Sequence, residues 1–200
     1  MIPAPKRPGR PRDESIDGEI TSALFELVEE VGLLAVTIEA IAERAGVSKA
    51  TIYRRWDSKE ELIVDAVAGL VVSAVEFPEL GDIREQMVTG LRRIHSFMSE
   101  TTAGVVFPWL IGEVARGSVI GRRYAECVII PRRQMVQKAI GEAIKRGEIR
   151  SDLDLDLAVD MLIGPLILKK LMGALRRDDP NWAENLVDAL LQGWNPKPKI

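Results

Sequence analysis

A single glycine, Gly46, constrains this chain more than any other residue. It lies in the run Ala35–Leu62, AVTIEAIAERAGVSKATIYRRWDSKEEL, between two stretches whose apolar residues recur at helical spacing. In the first stretch Ile38, Ile41, Ala42 and Ala45 share one side, and Thr37 stands where it can cap the opening turn. Glycine then stops that helix, because a left-handed residue without a Cβ meets no steric penalty. Val47 is expected to plug the turn, and Ser48 to cap a second helix over Lys49–Trp56. Two short helices across a tight glycine turn form a helix-turn-helix, whose second helix enters the major groove of DNA.

The second helix has the composition for that task. With Ile52 and Trp56 facing inward, Lys49, Thr51, Tyr53, Arg54 and Arg55 are left outside, and Ser48 joins them at the helix start. This donor-rich surface suits phosphates and base edges. Lys49, in the first turn, and an arginine at 54 or 55 are expected to read bases, and Tyr53 to meet the groove wall. Ahead of the motif, a helix from about Ser15 or Asp17 to Val31 carries the stripe Ile16, Ile20, Ala23, Leu24, Leu27, Val28 and Val31. Its late acids, Glu26, Glu29 and Glu30, oppose the helix dipole and are expected to be solvated surface. After the motif, Ser58-Lys59-Glu60-Glu61 has capping-box spacing and should open a fourth helix, with Leu62, Ile63, Ala66, Val67, Leu70 and Val71 inward.

The run T-x-E-A-I-A-E-R-A-G-V-S-K-A-T-I-Y-R-R-W-x-S-K-E-E-L resembles the TetR family of bacterial transcriptional repressors. A weaker likeness, K-R-G-E-I-R-S-D-L-D-x-D-L-A-V-D-M-L-I-G-P-L, points to one C-terminal subgroup of that family. The resemblance implies a homodimer on double-stranded operator DNA and a small-molecule effector held by helices five to eight. It also implies that the fourth helix links the two domains and that Lys59 at its start lies near the DNA backbone. Thr37, Lys59 and the N-terminal arm are then expected to hold phosphates or the minor groove. A constitutive helical DNA-binding or interaction protein without an effector is the alternative.

The net charge of −3 does not oppose this reading. Residues 1–12, MIPAPKRPGRPR, hold Lys6, Arg7, Arg10 and Arg12 and no acid, so the acidic excess lies in the rest of the chain. Such a division favours one docking orientation on a polyanion. Four prolines keep the arm from forming a helix, and Arg7, Arg10 and Arg12 in an extended strand suit a narrow A·T minor groove.

From Phe77-Pro78 and Gly81 onward every segment again reads helical. Helices are expected over 82–100, over 105–116 with Pro108 in the first turn, and over 118–147 with a kink or a new start at Pro131. Two more are expected, over 154–177 and from Pro180 to about Trp194. The last two are too apolar for simple surface helices, so they should also form a dimer interface through Met161, Leu168, Leu171, Leu175, Leu186 and Leu190. Phe97, Met98, Phe107, Trp109, Leu110, Tyr124 and Cys127 are the candidates to line a pocket for a mostly hydrophobic effector.

The expected architecture is all-α, with about nine helices. A basic arm (1–12) precedes a three-helix DNA-binding domain (13–57), a linking helix (58–76), a helical effector-binding and dimerisation domain (77–195) and a short tail (196–200). One histidine and one cysteine offer no catalytic constellation and no metal-ligand spacing, so neither an enzyme nor a cofactor is expected. With no apolar run of membrane-spanning length and no signal peptide, a cytoplasmic location without membrane contact is expected.

Overall fold

The computed structural model describes residues 14–74, 81–172 and 179–195. Among these residues the regular structure is all helical, with no strand. Its contacts resolve two compact units, Met1–Leu62 and Ile63–Ile200. The arm with Arg7, Arg10 and Arg12, the Phe77-Pro78 boundary, Leu175 and the C-terminal tail lie outside the described residues.

The first unit holds α1 (Glu14–Val31), α2 (Ile38–Arg44) and α3 (Lys49–Tyr53). Ile20 and Leu24 of α1, Ile41 of α2 and Ile52 of α3 are fully buried and form its core. Val31, expected at the end of the α1 stripe, remains exposed. Gly32 and Gly46 both adopt positive φ, +80° and +66°, and end α1 and α2 where the sequence places the stops. The helix α4 (Lys59–Ala74) starts in this unit and continues into the second.

Caps set most helix starts. Thr37, Ser48, Ser58, Asp82, Thr101, Ser118 and Asp154 each accept a backbone N–H three residues on. This satisfies one of the free amides of each first turn. At α4 the box departs from the expected form. Ser58 accepts from Glu61 N, but the Glu61 carboxylate reaches Asp57 N at 2.9 Å rather than the capping residue's own amide.

The second unit contains α5 (Ile83–Glu100), α6 (Thr102–Ala115), α7 (Val119–Lys145), α8 (Leu155–Leu171) and α9 (Trp182–Trp194). Met87 and Leu91 of α5, Ile140 of α7, Leu162 and Leu166 of α8, and Val187, Leu190 and Trp194 of α9 meet in one core. The α6 helix opens at Thr102, three residues before its expected start, so Pro108 lies inside it rather than in its first turn. Thr101 supplies the earlier start through its cap, and the proline costs the bond its N–H would have made. Likewise α9 begins at Trp182, past Pro180.

Pro131 is accommodated within α7 by a π turn over Ala125–Ile129. At roughly 100° per residue, Arg123 and Arg132 would lie on opposite faces of a regular helix. A π turn takes up about one extra residue and brings them toward one flank. Both then reach α4: Arg123 bonds Asp65 at 2.9 Å, and Arg132 donates to the carbonyl of Val71 at 2.9 Å.

Two glycines let helices approach backbone to backbone. A Cβ on Gly104 would lie 1.9 Å from the carbonyl oxygen of Met98, and one on Gly121 would lie 2.2 Å from that of Glu113. In contrast, a Cβ on Gly141, inside α7, would meet nothing within 4 Å. Gly104→Ala is therefore expected to destabilise the protein by about 1–3 kcal/mol or more, since backbone must shift. Gly141→Ala should stabilise it by about 0.5–1 kcal/mol. Thermal melts of the two variants check the contrast; equal shifts would show that close approach is not the role of Gly104.

Candidate nucleic-acid interface

The helix α3 is short and is held at both ends. At its start Ser48 Oγ accepts from Thr51 N at 3.2 Å and lies 3.0 Å from Thr51 Oγ1. In its middle Ile52 is fully buried. The regular helix ends at Tyr53, earlier than the expected Trp56, but Trp56 N still bonds the carbonyl of Ile52 at 3.0 Å. That last turn brings Trp56 into the core, buried as expected.

Burying Ile52 and Trp56 turns the opposite face outward. Ser48, Lys49, Tyr53 and Arg54 are exposed, Thr51 is half-buried, and Thr37 at the start of α2 is exposed. Arg54 Nη2 donates to Thr51 Oγ1 at 3.2 Å, which ties the hydroxyl and the guanidinium into one group. Ala50 is exposed among these donors and was not among the expected contacts. An exposed methyl of this kind can pack against the C5-methyl of thymine, and its sequence signal is an alanine flanked by two outward polar residues.

Two expected DNA contacts are engaged inside the unit. The sequence places Arg55 outside with Arg54. Instead its Nε bonds Asp17 Oδ1 of α1 and its Nη1 donates to the carbonyl of Thr51 at 3.1 Å. The reason is position: Arg55 lies beyond the last regular residue of α3, beside α1, where a carboxylate stands within reach. Lys59 Nζ donates to the carbonyl of Val36 at 2.8 Å. An ammonium has three N–H donors, so this bond anchors Lys59 without exhausting it.

The late acids of α1 are exposed, as expected, and two of them pair with Arg44. Arg44 of α2 bonds Glu30 with both Nη atoms, at 2.9 and 2.7 Å, and Glu26 at 3.1 Å. Hydrogen bonding to Arg44 holds the Glu30 carboxyl below its usual range. On the outer face, Lys49 meets Glu39 at 3.0 Å, and that bond lowers the Glu39 carboxyl.

The expected effector residues spread over three helices of the second unit. Phe97, Phe107, Leu110 and Tyr124 are buried, and Met98 and Trp109 are half-buried. Burial pushes the Tyr124 phenol up to about 12, above its already neutral ordinary range. Cys127 is exposed, which removes it from the lining set. It falls in the π turn, where the changed register carries it away from the face that regular helical spacing assigns.

The expected dimer residues also divide. Met161, Leu168 and Leu171 on α8 are exposed, together with Leu157 and Met172. Leu190 belongs to the protomer's own core and Leu186 packs against it, so neither is a free surface residue. The interior of the second unit claims the apolar face of α9.

Among the described residues no group of three or more His, Cys, Asp or Glu is placed to hold a metal ion, and no single helix is long and apolar enough to cross a membrane.

Residues 20–66 match the family described as bacterial regulatory proteins, tetR family, and residues 77–190 match the tetracyclin repressor-like C-terminal domain. The HTH-type transcriptional regulator YdeS of Bacillus subtilis (strain 168) is 34% identical over 164 residues, 82% of each chain. The HTH-type transcriptional regulator Rv1556 of Mycobacterium tuberculosis (strain ATCC 25618 / H37Rv) is 30% identical over 175 residues, 85% of this chain and 81% of its own. The crystal structure of the TetR family transcription regulator SCO0332 superposes with a TM-score of 0.74 at 30% identity, covering 91% of this chain and all of that one.

The cap at Ser48 is testable by itself. Ser48→Ala removes the acceptor for Thr51 N and is expected to cost about 0.5–2 kcal/mol. Urea unfolding followed by circular dichroism measures it. An unchanged midpoint would mean that Ile52 burial alone holds α3.

Proposed function

The chain belongs to the tetR family of helix-turn-helix transcriptional regulators, and we propose that it is a homodimeric repressor released from its operator by a small, mostly hydrophobic effector. The observation that carries the DNA half of this reading is the outward face of α3, where Lys49, Ala50, Thr51, Tyr53 and Arg54 stand opposite the buried Ile52. In the major groove this face offers a lysine in the first turn, a methyl for thymine, and a guanidinium able to pair bidentately with guanine. The Tyr53 phenol, about 100° round the helix from Ile52, is directed to a phosphate. Ser48 and Thr37 at helix starts and the anchored Lys59 take phosphates. The arm, with Arg7, Arg10 and Arg12, takes the adjacent minor groove.

Dimerisation is assigned to α8. Leu157, Met161, Leu168 and Leu171 recur at three- and four-residue spacing or its multiples on the exposed side of that helix, while Leu162 and Leu166 face the core. A stripe of this kind left in water favours a second copy, and a two-fold operator requires one. The effector reading rests on the buried, largely apolar set Phe97, Phe107, Leu110 and Tyr124, in which a neutral phenol supplies a polar anchor. Release requires that the effector prefer one arrangement of the dimer over the other.

Selection of bound sites from random DNA tests the interface. Tyr53→Phe should weaken binding about equally on all sites. Arg54→Ala or Lys49→Ala should relax preference at a defined base pair by about 1–3 kcal/mol. A changed consensus for Tyr53→Phe alone would place the helix in a different rotation. For assembly, sedimentation should give a dimer for the natural protein and a monomer for Leu168→Glu. A monomer for both would remove α8 as the interface.

A further inference from the structure

Two cations beside the recognition helix are held in different ways. Lys49 and Glu39 pair with side chains 55% and 62% exposed. An exposed pair contributes little and is screened by salt, so a base edge in the groove can replace the glutamate. The Arg55 side chain is only 14% exposed and that of Asp17 28%. Its second bond goes to the carbonyl of Thr51, one of the last four carbonyls of a five-residue helix. Arg55 keeps further N–H donors, but its side chain is largely out of water, so turning it to a phosphate would pull it from that carbonyl and from the Asp17 carboxylate, which is costly.

We infer that Asp17 restrains sequence-independent DNA binding by withholding the charge of Arg55. The inference rests on the docking of α3 argued above. A cation at the end of a recognition helix attracts every duplex alike, because phosphates carry no base information. Each such contact also steepens the salt dependence of binding, through counterion release. Paired with Asp17, Arg55 closes the end of α3 and ties it to α1 while adding no contact to phosphate. The reading of bases is left to Lys49 and Arg54, and the protein is less retained by the excess of non-operator DNA. Asp17 is thus a specificity residue that never touches DNA.

The test uses the full chain and a fluorescent duplex of random sequence, with affinity measured over a range of potassium chloride concentrations. Asp17→Asn should bind more tightly and steepen the slope of log affinity against log salt by roughly 0.9 per protomer. Arg55→Ala should leave the natural slope unchanged, and Asp17→Asn combined with Arg55→Ala should return to it. A flatter slope for Arg55→Ala alone would show that Arg55 already meets phosphate and would overturn the inference. So would an equal steepening by Asp17→Asn in the Arg55→Ala background, which would be the effect of one acid removed. Where Asp17→Asn is not folded by circular dichroism, Arg55→Ala and Arg55→Gln decide between an unchanged and a flattened slope. A natural protein that binds neither random nor selected duplexes fails at the docking itself, and the inference falls with it.

Discussion

The burial of Ile52 is the interaction on which the DNA-binding unit depends. The helix α3 has five residues, far fewer than the ~12–15 that a helix needs to persist alone in water. Its backbone bonds cannot hold it, so tertiary contacts must. Ile52 is fully buried, as are Ile20, Leu24 and Ile41 of the same unit, and Trp56 is buried one turn later. Once those two face inward, the directions of Lys49, Tyr53 and Arg54 follow from helical geometry. The same side chain that stabilises the helix therefore sets which residues can meet a groove.

Charge adds to this frame without replacing it. The α1 helix presents Asp17 to the end of α3 and Glu26 and Glu30 to α2, and an arginine answers each group. These pairs span 38, 18 and 14 residues of sequence, so they fix the packing of distant elements. The partly exposed pairs contribute little individually, whereas the more buried Arg55–Asp17 pair is costly to break. In the second unit a different constraint dominates: Gly104 and Gly121 admit backbone at distances no Cβ allows. The register of α6 against its neighbours is set by shape there.

Much of this protein was legible in the sequence because it is decided locally. The caps Thr37, Ser48 and Ser58 act within one turn of themselves, and Gly32 and Gly46 stop helices through their own φ. Apolar spacing marked most of the inward faces of α1 to α4, and the residue types between Thr37 and Leu62 identified the DNA-binding motif. These effects need no knowledge of distant chain.

What only the tertiary structure decided is non-local. Arg55 and Arg54 are chemically alike and adjacent, and a carboxylate 38 residues away separates their settings, one tied to α1 and the other exposed. Leu168 and Leu190 are equally apolar, yet one is left exposed on α8 and the other is taken by the protomer core. Cys127 reads as a buried residue among Val128, Ile129 and Ile130 until the π turn shifts its register and exposes it. Side-chain type and spacing determined which residues could be buried, capped or charged. Which of several equivalent candidates took each place depended on which partner the fold brought within a few ångströms, a distance that sequence separation does not encode.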